Sequence, residues 1–335
     1  MAARGALALL VAGVTLLALS GCSPTPARAF TVTGYAEAGA TTESQLTASR
    51  SALTEVGVDG VNLTADGAGV TAPNAAALAL LAQAHKLHKK ASLLFGNYSD
   101  TIYDFSDSIA EKMFGSSDNI HAVVADLVGE VDSGGWDGVT VDLESLNGFG
   151  EQGHTRDDNA GLDAFVTALR KALGKRTLSI CLSATTASYE DLGYDLGTIS
   201  KQVDDVVLMA YDQHGPAWSS AGPVGGYPWV KQSVAGLRKG VPAAKIQLGI
   251  GEYGYSWPTS GKGTVYTVAA MRALVKSGGG TPIWSASQKE WHATLSNGTV
   301  VWWSDDRSYQ SRLALARKLG LAGVAVWSLG QSDPL

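Results

Sequence analysis

The sequence predicts an α/β fold, a (β/α)8 TIM barrel with a small α+β insertion between its seventh and eighth strands. Three observations carry this. From Phe30 onward, eight short apolar runs alternate with stretches of helical period. Most of the runs are rich in Val, Ile and Leu, and several lack strict alternation, which is how strands buried on both faces read. No Gly-x-Gly-x-x-Gly follows an early run, so the usual reason to prefer an open, doubly wound sheet is missing.

In chain order the strand-like runs are FTVTGY from Phe30, GVNLTA from Gly60, ASLLFGNY from Ala91, GVTVDLE from Gly138, LSICLSA from Leu178, VVLMAYD from Val206, IQLGIGEYGY from Ile246 and GVAVWSLG from Gly323. Helices are predicted at Ser44 to Val56, Ala75 to Lys89, Ile120 to Val131, Gly161 to Leu173, Trp229 to Lys239 and Ser308 to Leu319, where apolar residues recur at three and four. The segment from Pro258 to Ser304 is too long for a plain loop. It holds a helix candidate, TVAAMRALVKSG, and strand-like pieces around Trp291 and VVWW, and reads as an insertion on the barrel rim.

The first residues read as a targeting segment. Arg4 supplies positive charge, Gly5 to Leu19 is an apolar stretch too short to span a bilayer comfortably, and Leu19-Ser20-Gly21-Cys22 resembles a bacterial lipobox. The expected organisation is a lipoprotein signal peptide over 1–21, a tether over 22–29 and a barrel over 30–335 with its insertion at about 258–304. Cys22 would carry the lipid and hold the protein on the outer face of the bacterial membrane. Simple secretion after Ala27-Arg28-Ala29 is the alternative. The other of the two cysteines, Cys181, lies in an apolar run and reads as a buried strand residue, so no internal disulfide is expected.

The chain of 335 residues carries 25 Lys+Arg against 31 Asp+Glu, a net charge of −6. Its one dense basic stretch, HKLHKK ending at Lys90, reads as a solvated helix face rather than a nucleic-acid surface. His85 and His88 have no nearby Cys or carboxylate in sequence to complete a metal site. No metal, cofactor or nucleic-acid partner is expected, and the protein is expected to act as a monomer.

The chemistry concentrates in WDGVTVDLESL. Alternation puts Thr140, Asp142 and Glu144 on one face and Val139, Val141 and Leu143 on the other. In a barrel the apolar set packs on the helices, while the polar set points inward and opens at the C-terminal end of the strand, where barrel enzymes do chemistry. Two carboxylates so close repel, which raises one pKa and suits it to act as a general acid. A structural polar layer is the plainer alternative.

DGVTVDLE is similar to the DGxDxDxE signature of glycoside hydrolase family 18, on the fourth strand as that family has it. Met209-Ala210-Tyr211-Asp212 on the sixth strand resembles the family's MxYD, and Trp327 stands where the family has its sugar-platform tryptophan. AGPVGGYPWV and GLAGVAVWSLGQSDP look closer to the bacterial cell-wall and spore-cortex branch than to the large chitinases. One position departs: the family's middle Asp is Thr140 here, a site where the cell-wall branch often has Asn.

The resemblance implies hydrolysis of a β-linked N-acetylglucosamine-containing glycan, peptidoglycan or a chitin-like polymer, by a substrate-assisted retaining mechanism. It implies Glu144 as proton donor, Asp142 as the residue that orients the acetamido N–H, and Tyr211 as donor to the acetamido oxygen. Trp327 would hold the sugar face. Asp212 would bind a hydroxyl or neighbour the acid, and Thr140 would donate to Asp142. Tyr35, Asn97 and Tyr98, at the ends of the first and third strands, are candidates to line the pocket. Tyr253, Tyr255 and Trp257 are candidates for outer subsites. A non-catalytic lectin on the same barrel is the competing reading. Glu144 argues against it and Thr140 keeps it open. A metal-dependent hydrolase is poorer, because no His/Asp constellation sits at several strand ends.

Overall fold

The computed structural model describes residues 29–145, 157–190, 192 and 194–335. The expected signal peptide, Cys22 and the tether as far as Arg28 lie outside the described residues.

The strands are β1 (Thr31–Glu37), β2 (Glu55–Asn62), β3 (Lys90–Gly96), β4 (Tyr98–Ser99), β5 (Asp104–Phe105), β6 (Gly138–Asp142), β7 (Thr177–Ser183), β8 (Asp205–Met209), β9 (Ile246–Gly251), β10 (Tyr253–Trp257), β11 (Val265–Thr267), β12 (Ile283–Ser285), β13 (Glu290–Thr294), β14 (Val300–Trp303) and β15 (Gly323–Trp327). The helices are α1 (Glu43–Ala48), α2 (Ala75–Lys86), α3 (Asp107–Phe114), α4 (Ser117–Gly134), α5 (Asp157–Leu173), α6 (Leu196–Gln202), α7 (Tyr227–Leu237), α8 (Val268–Ser277) and α9 (Asp306–Lys318).

β1, β2, β3, β6, β7, β8, β9 and β15 close into a barrel in that order, every neighbouring pair parallel. Alternation sorts the side chains into two cores. Val56, Val58, Leu93, Phe95, Val139, Val141, Ile180, Val206, Leu208 and Val324 face the helices and join the main apolar cluster. Tyr35, Leu94, Cys181, Val207, Met209 and Ala325 fill the interior as a second, smaller cluster, with Tyr211 and Trp327 packed on it. Toward the N-terminal end the interior is polar: the Thr33 hydroxyl lies 2.8 Å from a Glu55 oxygen and 2.7 Å from Gln247 Oε1.

The insertion is a five-stranded antiparallel sheet, ordered β11-β10-β14-β13-β12, with α8 against it. It starts earlier than expected. The single run IQLGIGEYGY contains two strands, because the Glu252 N–H makes a bond to Trp327 O and the chain then leaves the barrel as β10. The first helix also stops short of Val56. After α1 the chain turns through Ser49 to Thr54 and enters β2 at Glu55, and Val56, Val58 and Val61 pack outward. α3, α6 and the β4–β5 hairpin were not anticipated. They are too short to show a period.

A buried ion pair ties the insertion to the barrel rim. Arg312 of α9 donates to Glu290 of β13 at 2.7 Å, and both side chains are almost wholly buried. Glu290 also accepts from the Val224 and Gly225 N–H groups at 2.7 and 2.8 Å, and Arg312 donates to Lys289 O and Gly225 O. With its lone pairs and protons used, the pair meets the condition under which buried charge is tolerated. Replacing Glu290 by Gln strands the guanidinium. The expected cost is about 3–5 kcal/mol of unfolding free energy in urea titration, and an apolar pair at both positions should recover much of it.

Candidate active site

β6 delivers the two carboxylates. Val139 and Val141 lock its outer face into the helix-side core, so Thr140 and Asp142 face the interior. Glu144 follows two residues beyond the strand, on the same side as Asp142. Both line one cleft of about 1030 Å³ at the C-terminal end of the barrel. Met209, Tyr211 and Asp212 enter it from the end of β8, Ser183 and Ala184 from β7, and Trp327 from β15. Ile102, Asp104, Phe105 and Asp107 form one wall, and Ser145, Trp218 and Trp229 complete the lining. A second depression of similar size, about 1060 Å³, lies between α6 and α7, but it holds neither the carboxylate pair nor Tyr211.

The pair is held against its own charge. Asp142 is 5% exposed, and its Oδ1 has no hydrogen-bond partner. Burial pushes its pKa up to about 7, the charge of Asp59 adds to this, and the Cys181 thiol opposes it. Glu144 is pushed well above the usual carboxylate range, first by burial, then by the charges of Asp142, Asp212 and Asp104. No Lys, Arg or His stands among the described lining residues to relieve this. A shift in this direction favours the protonated carboxyl, the form that a general acid requires. Burial, Cys181 and the carboxylates push the Tyr211 phenol up as well, so it remains a donor.

Asp212 adopts a positive φ of 57° and accepts the Tyr253 and Tyr255 hydroxyls at 2.5 and 2.9 Å. Surrounding protein raises its pKa, and these two bonds act to lower it. Tyr253 and Tyr255 therefore brace Asp212. Trp257 donates its indole N–H to Ser219 O at 3.1 Å, bracing the loop that carries Trp218. None of the three lines the cleft as an outer subsite. His214 is turned toward Ser219 and is not a lining residue.

Other expected residues are placed differently. The Thr140 hydroxyl pairs with Ser92 Oγ at 3.1 Å and makes no bond to Asp142. Tyr35 is only 3% exposed and packs beneath Trp327, ring centroids 6.0 Å apart, so it forms the floor rather than the lining. Gly57 makes that possible, since a Cβ there would lie 2.3 Å from the Tyr35 ring. Tyr98 packs edge-on against Phe105 at 5.7 Å and stands behind the cleft wall. Asn97 is wholly buried and does not face the cleft. Its Nδ2 donates to Glu144 O and Ser106 O, each at 2.9 Å, and its Oδ1 accepts the Glu144 N–H at 2.8 Å. It fixes the main chain of the candidate acid from both sides.

Sequence reasoning missed Asp59, Asp104, Asp107, Phe105, Trp218 and Trp229. Asp104, Phe105 and Asp107 sit in the short elements without periodicity. Trp218, 56% exposed, sits in the long segment after β8, whose Gly and Pro content was its one visible signal.

Residues 33–332 match the family model described as glycosyl hydrolases family 18. The chain belongs to glycosyl hydrolases family 18. It is thus a glycosidase on that family's barrel. It is 27% identical over 259 residues to the uncharacterized glycosylase YvbX of Bacillus subtilis, covering 73% of this chain and 72% of that one. The putative sporulation-specific glycosylase YdhD of the same organism is 26% identical over 237 residues, covering 67% of this chain and 54% of the relative. Among solved structures, a chitinase from Chromobacterium violaceum superposes with a TM-score of 0.80 at 26% identity, over 91% of this chain and 96% of that one. The spore cortex-lytic enzyme SleL of Bacillus cereus shares the fold, with a TM-score of 0.78 at 20% identity over 92% and 72% of the two chains.

In this family 18 hydrolase, Asn97→Leu removes the bracket on the Glu144 main chain without changing the identity of any cleft-lining residue. The expected result is a fall of about 100-fold in kcat from a displacement near 1 Å, with glycan affinity retained in calorimetric titration.

Proposed function

We propose that the protein hydrolyses a β-linked, N-acetylglucosamine-containing glycan with retention, the substrate's own acetamido group acting as nucleophile, and that the peptidoglycan strand is its polymer ahead of chitin. One observation carries the reading. Asp142, Glu144 and Tyr211 share a cleft with Trp327 and, among the described lining residues, no cation.

Glu144 gives its proton to the glycosidic oxygen as the bond from that oxygen to the anomeric carbon breaks. The acetamido carbonyl oxygen bonds to the anomeric carbon and forms an oxazolinium ion. Asp142 accepts the acetamido N–H and balances the positive charge. Tyr211 donates to the acetamido oxygen. The sugar's C–H face rests on Trp327. Water then attacks the anomeric carbon, the oxazolinium ring opens, and the proton released from water returns to Glu144. The chemistry needs two carboxyls in different protonation states, and the repulsion between Asp142 and Glu144 favours that division. The likeness to YdhD, a putative sporulation-specific glycosylase, supports a cell-wall glycan. Attachment outside the membrane through a lipid on Cys22 is part of the same proposal. Radiolabelled palmitate should enter the wild-type protein and not Cys22→Ala.

The direct test is release of reducing ends from purified peptidoglycan and from N-acetylglucosamine pentamer. Wild type is expected to release them, and Glu144→Gln to lose about 10²–10⁴-fold in kcat. Glycan binding without release in either protein would establish a lectin instead. The kcat/KM profile is expected to be bell-shaped. Its acid limb arises as Asp142, about 7 in the free protein, takes up a proton, and its alkaline limb as Glu144 loses one at higher pH. The apparent values belong to the cluster rather than to single residues.

A further inference from the structure

Asp142 lacks the partner that its own strand would supply. The hydroxyl of Thr140, the inward residue one step below it, pairs with Ser92 Oγ and makes no bond to Asp142. Asp142 Oδ1 is buried and unpartnered. An unpaired carboxylate oxygen in such a place costs free energy unless a proton or a donor reaches it.

The barrel offers one on another strand. Asp59 of β2 is in register with Leu94 of β3, and Leu94 with Thr140 of β6, so Asp59 stands on the rung just below Asp142. Val58 turns outward into the helix-side core, which turns Asp59 inward. β3 lies between the two strands. Opposite Asp142 it places Gly96, which has no side chain to fill the interior there. On the other side Asp59 is in register with Glu37 of β1, which is itself occupied by Ser328 Oγ and by Gln331 Nε2 at 3.3 Å.

We propose that Asp59 is the proton-sharing partner of Asp142, supplied by β2 in place of the residue that Thr140 has displaced. This rests on the reading of Asp142 as the acetamido-orienting group. In the free protein the two carboxyls hold one proton between them. As the oxazolinium charge develops, the proton resides on Asp59 and Asp142 carries the full negative charge that accepts the N–H. When water opens the ring, the proton is shared again. No oxidant and no further proton is needed. The electrostatics agree: burial and Glu37 push Asp59 up to about 6, and Asp59 is the first charge that raises Asp142. The groups facing the pair are Tyr35 and Glu37 of β1, Glu144 beyond β6, Cys181 of β7 and Tyr211 after β8, all neutral or acidic. Asp59 acts through Asp142 and is a positioning residue.

The test is a relocation. Asp59→Asn should move the acid limb of the kcat/KM profile to lower pH, because Asp142 loses its like-charged neighbour, and should lower kcat by about 100-fold. Adding Thr140→Asp to that variant should return the limb toward its wild-type position and recover most of the rate. An unmoved limb, or a loss equal at every pH that Thr140→Asp does not restore, overturns the proposal. Carbon-13 titration of wild-type aspartate carboxyls is independent of turnover and of any variant's folding. Two-step, mutually dependent curves for Asp59 and Asp142 are expected. Single-step, independent curves overturn the proposal even when the glycan is hydrolysed, whereas coupled curves with no hydrolysis of any N-acetylated glycan overturn only the catalytic reading.

Discussion

The structure depends on a cost: carboxyl groups from several strands are gathered at one end of a barrel with no cation among the described lining residues. In water such groups would all be ionised. Packed together under Trp327 and beside Tyr211, they cannot be, because each charge raises the free energy of the next. Hydroxyls on Asp212 and the Cys181 thiol beside Asp142 relieve part of this, and retained protons relieve more. The fold thus biases these carboxyls toward the protonated form, the form that the proposed general-acid chemistry requires. The stability of the rest of the barrel bears that cost.

Several features make sense as supports for this arrangement. Outward-facing valines on β6 fix which residues point inward. Asn97 holds the main chain of Glu144 where the strand has already ended and regular hydrogen bonding no longer does so. Tyr253 and Tyr255 leave the barrel with β10 and return their hydroxyls to Asp212, so the insertion reaches back into the site. The Glu290–Arg312 pair pins the 224–225 stretch, which bounds the loop bearing Trp218. The insertion is therefore a brace as well as a rim.

The barrel was legible because its strands are long enough to show composition and its helices long enough to show period. Seven of the eight barrel strands fall on the runs read from sequence, with the errors at their ends, whereas β2 shares only Gly60 to Asn62 with its run and begins where a helix is predicted. The carboxylate pair was legible because alternation along a single strand is a local rule. What was not legible depends on neighbours distant in sequence. Asp59 is 83 residues before Asp142, and strand register alone brings it to the rung below. Asn97 and Tyr35 sit at strand ends where a lining role and a supporting role look alike. Thr140 looked available to Asp142 until Ser92 of the adjacent strand was seen to occupy it. The Asp104 to Asp107 wall belongs to short elements whose conformation is set by what they pack on.

The central claim is that Glu144 is a protonated acid in the resting protein while the cluster around it carries fewer charges than it has carboxyls. Neutron diffraction from deuterium-exchanged crystals at pH 7 observes this without reference to turnover. The account requires nuclear density for a deuteron on the Glu144 carboxyl. A bare Glu144 carboxylate, with every carboxyl of the cleft ionised, would contradict it.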